Sequence, residues 1–117
     1  LMGDVHHIFP KQYLRKNGYN EKIQYNQIAN FTYLDTQVNK EILDDAPNVY
    51  FKNAVESCEN SNALYGNISD IATLRQNMEG NCIPMDVVNM DYTNYPDFLI
   101  ARRKLMAKKI KKYYEHL

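Results

Sequence analysis

Two adjacent histidines, His6 and His7, follow Asp4-Val5 and run into Ile8-Phe9-Pro10-Lys11. Asn30 comes twenty-three residues after His7, and Asn39 nine after that. Neighbouring imidazoles can divide two tasks, one binding a metal ion and the other moving a proton. A carboxamide oxygen from a later element can complete a small site for a hard cation. That set of groups suits hydrolysis of a phosphodiester.

Short elements must hold these groups. Residues 4–9 read as a strand that ends at Pro10, which has no N–H to continue a ladder. Residues 11–17 suit a short helix stopped by Asn17-Gly18, a turn signal. Residues 22–29 fit a helix or a loop. Residues 30–34 are β-branched and aromatic and predict a second strand. Asp35 or Thr36 then caps a helix over 36–43, with Val38 and Ile42 on one face. Pro47 suits the first position of a helix over 47–57, with Tyr50, Phe51 and Ala54 inward. The stretch 59–67 is polar and turn-rich. Ser69 can cap a short helix over 70–78, ended by Gly80. Residues 81–94 look irregular. A last helix over 96–116 starts at Asn94 or Tyr95 with Pro96 and Asp97 in its first turn. Its expected apolar stripe is Phe98, Leu105 or Met106, Ile110, Tyr113 and Leu117.

A chain of 117 residues, 44% hydrophobic and 24% charged, suits one globular domain with one core. The sequence has no run of 18 or more apolar residues, so no membrane span is expected. No basic segment leads into an apolar one near the N-terminus, so no signal peptide is expected. The chain enters its motif almost at once, so a fragment cut from a longer protein is expected. Cys58 and Cys82 stand alone, outside any CxxC pair, and are expected to be reduced thiols in the cytoplasm. The net charge of zero hides an asymmetry. Residues 1–101 hold seven Lys/Arg and thirteen Asp/Glu, whereas 102–117 hold seven Lys/Arg and one Glu. Ionic contacts to an anionic polymer would therefore come from the last helix.

The segment Asp4-Val5-His6-His7-Ile8-Phe9-Pro10, with Asn30 and Asn39-Lys40, resembles the HNH, or His-Me finger, motif. The resemblance spans roughly residues 4–47. It implies an α+β fold of the ββα-metal type, two antiparallel strands and a helix around one divalent metal. The whole chain 1–117 would be one HNH nuclease domain, with its core over 4–45 and a helical extension over 47–117. By this resemblance His7 is the general base that activates water, and Asn30 braces the loop between the strands. Asn39 is a metal ligand, and His6 stands where the family more often has a ligand Asp. From Tyr95-Pro96-Asp97-Phe98 through Ala101-Arg102-Arg103-Lys104-Leu105 to Tyr113-Tyr114, the chain is similar to the tail of HNH domains in GmrSD-type restriction proteins. Those carry a ParB-like domain before the HNH domain. The implied activity is metal-dependent cleavage of DNA in a restriction or defence protein. The implied partners are DNA and an N-terminal domain of the same longer protein, with no membrane.

Residue by residue, alternatives stay open. Asp4 is a metal ligand, a partner for His6 or an exposed strand residue. Strict alternation sends His6 and His7 to opposite strand faces, so both serve one site only if the strand ends or twists there. Lys11 and Lys40 flank the motif and either contact phosphates or are solvated. Lys108, Lys111 and Lys112, with Arg103 and Lys104, either track a nucleic-acid backbone or form a plain solvated face. An HNH-like nucleic-acid-binding module with weak or no cleavage is the alternative function. A dimerisation domain built on the last helix has less support.

The ion is expected to be one divalent metal: Mn, Mg, Ni, Co or Zn. Nitrogen from His6 in place of a carboxylate favours Mn, Co, Ni or Zn over Mg, which prefers oxygen. DNA nicking should run faster with manganese, cobalt or nickel than with magnesium, and His6→Asp should move the preference back toward magnesium. A metal panel on both proteins checks this. Best activity with magnesium, unchanged in His6→Asp, would remove His6 from the ligand set.

Overall fold

The computed structural model describes residues 3–35, 45–59 and 71–117. The expected helix over 36–43, with Asn39 and Lys40, lies outside the described residues, as does the Ser69 cap. Strand β1 (Gly3–His7) pairs antiparallel with β2 (Phe31–Asp35). The register runs from Gly3 opposite Asp35 to His7 opposite Phe31. Between the strands lie α1 (Lys11–Lys16), α2 (Lys22–Tyr25) and a 3-10 turn, Ile28–Asn30. The ambiguous stretch 22–29 thus resolves into two short turns of helix. Glu21 and Gln24 close a reciprocal capping box that starts α2.

Helices α3 (Pro47–Glu59), α4 (Ile71–Gly80) and α5 (Tyr95–Glu115) follow among the described residues. Residues 81–94 are less irregular than expected. They hold two 3-10 helices, Met85–Asn89 and Tyr92–Asn94. The second is closed by Asp91, which accepts from Thr93 N–H at 2.9 Å, and by Asn94, which accepts from Asp91 N–H at 3.1 Å. Asn94 therefore spends its amide on this turn and makes no side-chain cap for α5. Mixed helix with one small antiparallel sheet makes the fold α+β. No helix among the described residues is long and apolar enough to cross a membrane.

The core forms directly behind the histidine pair. Ile8, Phe9 and Leu14 are buried with Tyr25, Ala29, Tyr50, Val87, Tyr95 and Phe98. Phe9 packs its ring 4.8 Å from Phe98 and 5.1 Å from Tyr95, so the start of α5 lies against the end of the motif. Such aromatic pairs add roughly 0.5–1.5 kcal/mol each beyond their buried area. Tyr50 donates its hydroxyl to Ile8 O, tying α3 to the same point. The expected stripe on α5 holds only in its first half. Phe98 is buried and Met106 half-buried, but Leu105 is 39% exposed, Ile110 57%, Tyr113 65% and Leu117 81%. A helix of 21 residues spans about 31 Å. That outruns the core, so the later positions are covered only in part, as where Ile110 adjoins the 27–29 turn.

Helix α4 ends in a Schellman motif. Ile83 N–H donates to Met78 O at 2.9 Å and Cys82 N–H to Glu79 O at 3.1 Å. Buried Ile83 and Met78 belong to the same core cluster. The pattern requires a left-handed residue, and Cys82 supplies it with φ of 56°. A side chain there costs roughly 1–2 kcal/mol that glycine avoids. Cys82→Gly should therefore unfold at equal or higher urea concentration, by up to about 1 kcal/mol after glycine's greater chain entropy is counted. A clear loss of stability would mean that the thiol's packing outweighs the backbone strain.

Candidate active site at the end of the first strand

The ladder stops at His7, and a side chain takes over its role. Ile8 N–H still donates to Asn30 O at 2.8 Å. One residue on, the Asn30 amide replaces the missing strand. Its Oδ1 accepts from Phe9 N–H at 2.8 Å and its Nδ2 donates to Phe9 O at 3.0 Å. The second Nδ2 hydrogen goes to Tyr25 O at 3.1 Å, one of the orphan carbonyls at the end of α2. Asn30 is 0% exposed, so these bonds are shielded from water. Aspartate cannot make this set, because two of the three bonds need donors.

A buried arginine holds Asn30 from behind. Arg102, on α5 and 4% exposed, donates to Ala29 O at 2.9 Å and to Phe31 O, the carbonyls on either side of Asn30. It also donates to Asn81 O at 3.0 Å, at the C-terminal end of α4. Burial pushes its guanidinium below the usual arginine range. An arginine starts so high that it stays charged, and the carbonyls with the negative end of α4 offset its desolvation. Lys109 donates to Gly80 O at 2.7 Å in the same way. Two cations of the basic tail thus serve the fold.

His7 sits at the open end of this frame, partly exposed. Its ring lies 4.7 Å from the Phe31 ring and 6.2 Å, edge-on, from the Tyr25 ring. Its Nε2 donates to Asn26 Oδ1 at 2.8 Å. A carboxamide oxygen only accepts, so Nε2 is the donor in this bond, and in the neutral ring the lone pair is then on Nδ1. Sequence reasoning misses Asn26, which is one asparagine among many. Its position one residue after α2 is the available signal.

Two cations lie beside the neighbours of His7 rather than against its ring. Lys11 Nζ stands 5.6 Å from the Tyr25 ring centroid. Arg103 donates to Gln27 Oε1 at 2.8 Å, one residue beyond Asn26. Tyr95 closes this flank, donating its hydroxyl to Gln24 O at 2.5 Å. Burial raises that hydroxyl to about 12, so it remains a donor at any working pH.

His6 is half-buried on β1, opposite Thr32. Asp4 stands two positions back, opposite Leu34. Both histidines lie within the paired strand, so alternation puts His6 and His7 on opposite faces of β1. Among the described residues no three His, Cys, Asp or Glu gather as a metal set. A divalent ion at His6 would need its remaining donors from Asp4, water or substrate oxygens, or from Asn39, which lies outside the described residues. The basic residues of α5 are not all brought to this end. Lys108 and Lys112 line a groove on the other flank of the helix, and Lys111 lies 3.9 Å from Glu115.

Asn30→Ala should strip partners from Phe9 N–H, Phe9 O and Tyr25 O. Each unsatisfied buried group costs about 1–3 kcal/mol, so a loss of about 3 kcal/mol or more is expected. Asn30→Asp should be comparably damaging despite its near-identical shape. Urea unfolding of both variants measures this, and wild-type stability in Asn30→Asp would contradict the bonding described.

Comparison with known protein families, with curated proteins and with solved structures finds no match for this chain.

Proposed function

We propose that this chain is a ββα-metal endonuclease domain that hydrolyses DNA phosphodiester bonds, within a restriction or defence protein of the cytoplasm. The observation that carries this reading is His7 at the last rung of an antiparallel strand pair, beside a fully buried Asn30 that clamps the turn behind it. A hydrolytic base needs a fixed ring, an available lone pair and access to solvent. His7 has a ring held between Phe31 and Tyr25, an Nε2–H bonded to Asn26, and a partly exposed edge.

In this reading Nδ1 of His7 accepts the proton of the attacking water, while Asn26 holds the opposite nitrogen and keeps the tautomer. His6 and Asn39, with Asp4 as a further candidate, would hold one divalent ion. When bound, that ion would polarise the phosphoryl oxygen and stabilise the leaving 3′ oxygen. Lys11, beside Tyr25, and Arg103, bonded to Gln27, would receive the flanking phosphates. Lys40, next to Asn39 in the chain, is a further phosphate ligand in this scheme. Asn30 and Arg102 do no chemistry. They keep the strand end and the α2 turn in register so that His7 and Asn26 meet.

The test is nicking of supercoiled plasmid in the presence of manganese. His7→Ala should lower the rate by about 10²–10⁴-fold with its fold intact, since loss of a general base has about that effect. Arg103→Gln with Lys11→Gln should weaken DNA binding and flatten the dependence of log affinity on log salt, by up to about 0.9 for each phosphate no longer neutralised. Cleavage by His7→Ala at the wild-type rate would remove His7 from the reaction. Absence of cleavage by the wild-type chain with any divalent metal, alongside retained salt-dependent binding, would favour a binding module instead.

A further inference from the structure

Helix α5 has two unlike flanks on either side of its buried face. On one, Arg103, Met106 and Ile110 adjoin Gln27–Ala29. On the other, a groove of about 980 Å³ runs between α5 and the segment after α4. At about 100° per residue, Arg103 and Leu105 point roughly 160° apart around the helix. Among the described residues the groove has an apolar floor including Ile83, Met85 and Leu105, and a rim of Lys104, Lys108 and Lys112 with one carboxylate, Glu79, at the α4 end. Met85 and Leu105 are each 39% exposed.

We propose that this groove binds an acidic, amphipathic polypeptide segment of a partner, on a surface separate from the His7 site. Three observations converge. First, Lys104, Lys108 and Lys112 repeat every four residues, about 6 Å apart along the helix, and no carboxylate among the described residues pairs with them. Like charges at that spacing oppose the helix. A carboxylate-bearing partner relieves that repulsion. Second, Lys109 is already engaged with Gly80 O, so it closes the groove's inner wall rather than reaching outward. Third, the floor is apolar and no aromatic ring among the described residues lines the groove. A single-stranded nucleic acid finds no ring on which to stack a base. A phosphate backbone would cover Met85 and Leu105 without giving them an apolar contact. An amphipathic helix with Leu or Ile on one face and Glu or Asp beside it satisfies both floor and rim. The groove's size also suits several side chains of a peptide better than one ion.

The experiment uses the whole chain and a fluorescein-labelled peptide of about 18 residues, with leucines on one helical face and glutamates elsewhere. Binding is read by fluorescence anisotropy. A second peptide carries glutamine for every glutamate, and a duplex of about 20 base pairs serves as competitor. The variants are Lys104→Glu with Lys108→Glu and Lys112→Glu, and separately Leu105→Ser. All four positions are exposed, and circular dichroism checks that each variant is folded. The acidic peptide should bind, and the glutamine peptide should bind at least about tenfold more weakly. The triple charge reversal should weaken binding at least about tenfold, and Leu105→Ser at least about threefold, since both rim and floor contribute. The duplex should leave the peptide bound. No binding by the acidic peptide overturns the proposal. So does wild-type affinity in Leu105→Ser, which would mean unspecific charge attraction. Displacement of the peptide by the duplex, with equal loss of both in the triple variant, would make the groove a nucleic-acid track and also overturn it. None of these outcomes depends on cleavage activity.

Discussion

The pairing of one buried amide with one peptide group governs the rest of this structure. Asn30 occupies the place of a third backbone strand for a single residue, meeting both the N–H and the C=O of Phe9. Without it, the chain leaving β1 would carry two buried polar groups with nothing to answer them, just where the ladder stops and Pro10 follows. With it, Phe9 is directed into the core against Tyr95 and Phe98, and His7 is left at the rim. The same amide reaches Tyr25 O, which sets where α2 ends and therefore where Asn26 stands. A core bond thus decides the geometry of an exposed one between His7 and Asn26.

The charge pattern of the last helix has three uses, although it forms one block in the sequence. Arg102 and Lys109 answer carbonyls at the end of α4 and around the Asn30 turn. Arg103 turns to Gln27 on the His7 flank. Lys104, Lys108 and Lys112 face the groove on the opposite flank. Counting basic residues overstates how many are available to one ligand, because helical rotation distributes them and the fold consumes some. The residue that unites the two halves of the chain also comes from this block. Arg102 joins residues 29, 31 and 81 across the core.

Much of the fold is legible in the sequence because it rests on local signals. The aromatic and β-branched run after Asn30 makes the second strand, and Pro96 with Asp97 opens the last helix. The first strand is legible too, but it ends at His7, short of the expected stop at Pro10, because the Asn30 side chain takes over the bonds of Phe9. Asn30 stands out through its spacing from the histidines. The features that sequence reasoning misses have a common physical origin, since each depends on a partner far away in the chain. Arg102 reads as one more surface cation until folding brings the carbonyls beside Asn30 within its reach. Asn26 has no distinguishing neighbour in sequence. Periodicity picks out the apolar stripe of α5, but it reports a face and not whether anything covers it, and Ile110 and Leu117 remain exposed. The helix expected to carry Asn39 lies outside the described residues, so the metal half of the site rests on motif spacing alone.

The central claim is that His6 and His7 at the end of β1 share one metal-dependent site with the asparagine at position 39. The direct measurement is a titration of isotopically labelled protein with manganese, followed by two-dimensional NMR. Paramagnetic relaxation broadens the nearest nuclei first. The account predicts that the amide signals of His6, His7 and Asn39 disappear ahead of all others, while those near Asp91 and along the groove of α5 persist. Broadening centred on another part of the chain, or none at manganese concentrations that support activity, would contradict it.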